Sequence, residues 1–228
     1  MKKIFSSKKI KISNTVLIFI LIVLLSSCLN PKKKNINIDT NINKKIDTTK
    51  LVNYKKNLKT WIDYYKKYRI KLEKFNFVSQ DTLPNIVAEI DTINLEKDIY
   101  KFLYKISNDK NKVLDLYSYN LSLAKNENNE IISYGVDIDS EVSIKDLKNK
   151  IWKRILFVGP NYKIEEGFWI NNDKIIIVGV FEDEKKCKPV IWFVNLNNNT
   201  IQSFEYSNYI DNIKCDYLKT IVYKKIKM

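Results

Sequence analysis

KIIIVGVF at residues 174–181, EDEKKCK at 182–188, PVIWFVNL at 189–196, NNN at 197–199 and TIQSFEY at 200–206 form the most regular part of this chain. Three runs rich in Ile, Val, Phe and Trp are separated by a charged loop and an asparagine triplet. β-Branched and aromatic residues fit a pleated, half-buried surface. Short apolar runs bounded by turn residues predict strands joined by hairpins. Asparagine tolerates the left-handed backbone of tight turns. In a chain with only four glycines it takes the turn positions glycine would usually fill.

The same rhythm extends in both directions. Upstream, period-two patterning predicts strands around Leu114, Leu116, Tyr119 and Leu121, then at 131–137, 141–146, 151–158 and 164–170, with turns at 126–129, 159–160 and 171–173. Downstream, one more strand is expected over 218–226. Antiparallel meanders have this spacing. Two four-stranded units are visible, 113–158 and 164–206. The second carries Trp169 before its first turn and Trp192 in its third strand, a rhythm that resembles a β-propeller blade. A closed propeller needs at least about four blades, so two units imply blade-like antiparallel sheet and no ring.

Between residues 49 and 75 the period changes. Leu51, Tyr54, Leu58, Trp61, Tyr65, Tyr68, Leu72 and Phe75 recur at steps of three and four, with Lys and Asp between them. This is an amphipathic helical stripe, and Thr48 or Thr49 can cap its start. Coiled coils favour Leu and Ile at the seam. A stripe of Tyr and Trp predicts a helix laid on the sheet with its aromatic side buried. Leu95, Ile99, Phe102, Leu103 and Ile106 suggest a second short helix, and residues 86–90 a strand.

The N-terminus carries an address. Lys2, Lys3, Lys8, Lys9 and Lys11 precede an apolar run from Val16 to Leu25, which is shorter than a membrane span. A basic segment, a short apolar core and small residues make a secretory signal. Leu25-Ser26-Ser27-Cys28 resembles the lipobox of bacterial lipoproteins. That resemblance implies cleavage before Cys28, a diacylglycerol on its thiol and an acylated amino terminus. Several acyl chains together anchor firmly, where one alone is marginal. Membrane lipid, bound through Cys28, is thus an expected partner. The next residue is Leu29, not the Asp that retains some related lipoproteins in the inner membrane. The expected location is the cell membrane or outer membrane, with the domain on the non-cytoplasmic side. Residues 28–48 read as a polar, disordered tether with a root-mean-square reach of about 25 Å. The division is therefore 1–27 signal peptide, 28–48 lipidated tether and 49–228 a single α+β domain that resembles no characterised family.

Charge and composition then exclude functions. Of the net +14, the signal carries five lysines and no acid, and residues 31–50 carry six lysines against two aspartates, which leaves +5 for 51–228. An exported domain with so mixed a surface is not expected to bind nucleic acid. The chain has no histidine, which removes Ser-His-Asp and Cys-His chemistry and histidine-ligated metals. Gly135, Gly159, Gly167 and Gly179 lack phosphate-loop or dinucleotide spacing. No cofactor is expected.

The remaining candidates are sparse. Cys187 and Cys215 are an even pair in an exported chain, consistent with one disulfide; the alternative is two reduced thiols. Asp137, Asp139 and Glu141 could face a hard cation, but the plainer account is a solvated hairpin turn, so no metal site is expected. Glu165-Glu166 and Glu182-Asp183-Glu184 are expected in loops or at strand ends. A carboxylate pair there could serve glycoside chemistry, which needs a defined separation. Aromatic residues such as Trp169, Trp192, Phe193 and Phe204 supply core, with any left outside forming a face for glycan or protein. The sequence therefore predicts a non-enzymatic envelope lipoprotein that binds a partner or helps maintain the envelope. The alternatives are an inhibitor or immunity-type protein on the non-cytoplasmic side, and a carboxylate-dependent cell-wall glycan hydrolase.

Overall fold

The computed structural model describes residues 49–90, 94–211 and 217–226. Contacts divide the chain into two units, 1–45 and 46–228, and all described residues belong to the second. The lipobox and Cys28 lie outside the described residues. Among the described residues no helix is long and apolar enough to cross a membrane.

Antiparallel β-sheet dominates, in an architecture compatible with α+β. Chain order runs α1 (Thr49–Asn53), α2 (Lys59–Tyr65), β1 (Phe75–Thr82), β2 (Val87–Glu89), β3 (Lys105–Ile106), β4 (Lys112–Asp115), β5 (Leu121–Lys125), β6 (Ile131–Val136) and β7 (Ser140–Asp146). It continues with β8 (Ile151–Val158), β9 (Tyr162–Trp169), β10 (Lys174–Asp183), β11 (Lys186–Asn195), β12 (Thr200–Tyr206) and β13 (Ile210–Asp211). The larger sheet has the order β1-β12-β11-β10-β9, with β13 pairing β11 beyond the end of β12; the second has the order β2-β8-β7-β4-β3; β5 and β6 form a separate hairpin.

The centre of the larger sheet, β10 and β11, is buried on both faces. Ile175 and Ile177 of β10, Trp192 and Val194 of β11 and Ile201 of β12 pack with Leu114, Val142, Ile144 and Ile155 of the second sheet. The alternate residues Ile176, Val178, Val180, Ile191 and Phe204 pack with Leu51, Leu58, Trp61 and Tyr65 from the N-terminal segment. Burial on two sides explains why β10 reads as an unbroken apolar run instead of an alternation.

Four expectations are corrected. The stripe over 51–75 is not one helix. It folds as two short α-helices followed by 3-10 turns at Lys66–Tyr68 and Leu72–Lys74, with Arg69 in the left-handed region at φ 57°. A straight helix of that length would extend about 37 Å, longer than the ten-residue β10 and β11, which cover about 33 Å. Bending keeps the stripe over the sheet, and Leu51, Leu58, Trp61, Tyr65, Leu72 and Phe75 are all buried.

The unit 113–158 is not a four-stranded meander, because β4 pairs β7 and the β5–β6 hairpin pairs only with itself. The strand ends at Asp115, whose Oδ1 accepts the backbone N–H groups of Tyr117 at 3.3 Å and Ser118 at 3.0 Å. Such aspartate turns compete with the ladder. The expected helix at 95–106 is only the 3-10 turn Lys101–Leu103, preceded by a turn in which Asp98 Oδ1 accepts the N–H of Tyr100 at 2.9 Å. The expected strand at 218–226 is helical, a π turn over Leu218–Val222 followed by a 3-10 turn.

The turns use asparagine less exclusively than expected. Asn129 and Asn199 take positive φ, but so do Lys110, Lys150 and Glu184. No glycine does. Two glycines serve close packing instead. A Cβ on Gly179 would lie 2.1 Å from the carbonyl oxygen of Lys163, and one on Gly167 would lie 2.9 Å from methyl groups of Leu114 and Leu116.

Candidate functional site: a cleft beside the N-terminal segment and the buried carboxyl that fixes its neighbour

Strand alternation places Phe193 and Asn195 of β11, and Thr200, Gln202 and Phe204 of β12, on the face covered by the N-terminal segment. Register aligns them in rows. Gln80 of β1 is paired with Gln202, which is paired with Phe193; Thr200 is paired with Asn195, which is paired with Lys174. The Gln202 side-chain N–H donates to Gln80 Oε1 at 2.7 Å.

Trp61 and Tyr65 cover the middle of this face, and the cover thins toward its Asn-rich end. There a cleft of about 480 Å³ opens, walled by Leu51, Asn53 and Tyr54 and floored by the two rows, with Asn198 at its lip. Tyr54 leans on Phe193 with ring centroids 5.7 Å apart. Lys174 is the one charged group among the described lining residues.

The helix that follows the wall is fixed by a buried carboxyl. On α2, Trp61 and Tyr65 stand four residues apart and so share one side. Trp61 Nε1–H donates to Glu165 Oε2 at 2.7 Å, and the Tyr65 hydroxyl donates to Glu165 Oε1 at 2.5 Å. Glu165 is 1% exposed. Burial pushes its carboxyl up to about 7, against the opposing pull of the Tyr65 and Trp61 hydrogen bonds.

A β-bulge creates this placement. Glu166 is paired with Val178 and Ile164 with Gly179, so Glu165 is the extra residue. Before the bulge Tyr162 and Ile164 belong to the inter-sheet core; beyond it Phe168 packs with the N-terminal cluster. Gly179 admits the fold because any side chain there would meet the Lys163 backbone. Glu166 is buried too and pairs with Lys105 Nζ at 2.9 Å. The Tyr117 hydroxyl donates to the Glu165 carbonyl at 2.9 Å. Tyr217, packed in the same cluster, has its hydroxyl pushed up by burial and then by the charges of Glu166 and Glu165.

The expected site residues therefore fall apart. Glu165 and Glu166 lie inside a strand, not in a loop or at a strand end, and both carboxylates are engaged within the protein. Asp137 is exposed and Asp139 half-buried, whereas Glu141 is buried and accepts Arg154 Nε at 2.6 Å. Glu182 accepts Lys163 Nζ at 2.8 Å, and Glu184 sits in the turn. Among the described residues no group of three or more Cys, Asp or Glu could hold a metal ion. Cys187 is a buried free thiol in the N-terminal-segment cluster; Cys215 lies outside the described residues. Phe193 and Phe204, among the aromatic residues considered for a binding face, do line the cleft. Gln80, Gln202, Asn195 and Asn198 gave no local signal, because only strand pairing assembles them.

No family model, curated protein or solved structure matches the chain.

Proposed function

We propose that this chain is a lipid-anchored envelope protein held through Cys28, and that its domain is a non-enzymatic binding module that takes its partner in the cleft beside α1. The cleft carries the proposal. Its wall is the first described segment after the expected tether, and its lining is aromatic and amide-rich with a single charge. Such a lining suits holding a ligand more than making or breaking bonds. General acid–base catalysis needs a titratable group within hydrogen-bond reach of the reacting atoms, and the buried glutamates face other partners. On this reading the lipid sets the location and the tether gives the domain reach.

A photoreactive residue placed at Asn198 in intact cells tests the proposal. A discrete adduct is expected from Asn198 and none from a control at Asn128, in the exposed turn of the β5–β6 hairpin. Equal labelling at both positions, or none at Asn198, contradicts it. Replacement of Cys28 by Ala tests the anchor separately: fatty-acid labelling of the chain is expected to be lost, and labelling that survives at full intensity would contradict the lipoprotein assignment.

A further inference from the structure

The geometry points to a ligand class: we propose that the cleft binds an uncharged oligosaccharide, with a pyranose ring on the Phe193–Tyr54 surface and hydroxyls bonded to the carboxamides of Gln202, Asn195 and Asn198. This rests on the reading above that the cleft is the binding site.

The lining selects by elimination and by fit. A carboxamide carries donor and acceptor on one planar group and a sugar hydroxyl is both on one oxygen; Asn195, whose Oδ1 already accepts the N–H groups of Asn197 at 3.1 Å and Asn198 at 3.3 Å, offers its amide N–H groups. The Gln80–Gln202 pair already shows this amide chemistry at 2.7 Å and is held in place by strand register. The C–H face of a pyranose is apolar and rigid, suited to an aromatic surface. Phe193 and Tyr54 offer one, tilted at 40° to each other in the same cleft. An anionic ligand would call for a cation cluster or a guanidinium fork, and Lys174 is the one charge present among the described lining residues. A wholly apolar ligand would desolvate the amides without pairing them, which is unfavourable. An extended peptide binds best by adding to a free strand edge. Here the floor lies mainly on β12 and β11, each paired on both sides, and only Gln80 comes from the edge strand β1. The volume of about 480 Å³ falls within the range of clefts that enclose small ligands and is enough for a disaccharide.

The test uses the full chain in a detergent without a sugar headgroup. Calorimetry is run with cellotetraose, maltotetraose, chitotetraose and a saccharide-free tetrapeptide. At least one tetrasaccharide is expected to bind and the peptide is not. Gln202→Ala should weaken binding by about three- to tenfold, the loss of one hydrogen bond, with an unchanged melting temperature. Phe193→Ala should weaken it more, and Phe193→Tyr should restore it by returning the ring. Binding of the peptide but no sugar, binding of no probe at all, or sugar binding indifferent to Gln202→Ala would each overturn the proposal. An Asn198 adduct in cells combined with no sugar binding would overturn only the ligand class. Absence of both would remove the cleft itself as the site.

Discussion

The two faces of the larger sheet are held in different ways. One packs on the second sheet through aliphatic side chains such as Ile175, Ile177, Val142 and Ile155. The other is covered by two short helices that could not persist alone in water, since isolated helices below about 12 residues are marginal. Their attachment uses aromatic rings and one buried carboxyl, Glu165. The inter-sheet face draws on burial spread over many side chains, and its buried titratable groups among the described residues are Tyr117 and Tyr223, whose hydroxyls burial pushes up, away from neutral pH. The N-terminal face concentrates its specificity in a few directional bonds. The cleft lies on the second face, so the part of the molecule proposed to bind is also the part whose cover can be loosened chemically.

Trp61→Ala should be the most damaging, at about 3–5 kcal/mol, because it opens a cavity and also removes a donor from Glu165; chemical denaturation measures it. Gly179→Ala should follow at about 1–3 kcal/mol, since the strand must move away from the Lys163 carbonyl. Destabilisation below about 0.5 kcal/mol would show that the bulge is not locked from across the strand. Ile177→Val, on the inter-sheet face, should cost about 1 kcal/mol, by an amount that does not change with pH. A cost that varied between pH 5 and 8 would blur the distinction between the faces. Asp63→Asn, which breaks the exposed Lys59–Asp63 pair, should leave the melting temperature unchanged, because such pairs contribute little.

Particular elements show what the sequence makes legible. β8 and β12 occupy the segments their patterning predicts, 151–158 and 200–206, since each apolar run is closed by turn residues. The stripe from Leu51 to Phe75 shows in its period which residues are buried, but not that the backbone between them leaves the helix. Asp115 ends its strand early and Asp98 replaces the start of the expected helix with a turn, both through side-chain bonds to the nearby backbone, which hydrophobic pattern does not weigh. The two adjacent glutamates were the hardest to place. Charge within a strand reads as exposure, and their burial depends on Trp61, 104 residues from Glu165, and on Gly179 across the ladder. The cleft was half legible. Phe193 and Phe204 stood out as aromatics, but the Gln80–Gln202 pair, separated by 122 residues, exists only once β1 docks against β12.

Glu165 gives the most direct test. Its carboxyl is raised in the folded protein to about 7 from an ordinary value of 4.5. The folded state therefore binds more protons than the unfolded state between those values. Its contribution is fully present below about pH 4.5 and is lost as pH rises through about 7, a decline of about 3 kcal/mol. A chain without histidine has no other side chain with an ordinary value in that window, so the decline should stand out. Unfolding free energies measured by denaturant titration from pH 5 to pH 8 should fall for the wild type, level off above about pH 7.5, and stay flat for Glu165→Gln. A wild-type stability that rises with pH, or a slope that persists unchanged in Glu165→Gln, would contradict the assignment of Glu165 as the titrating attachment of the N-terminal face.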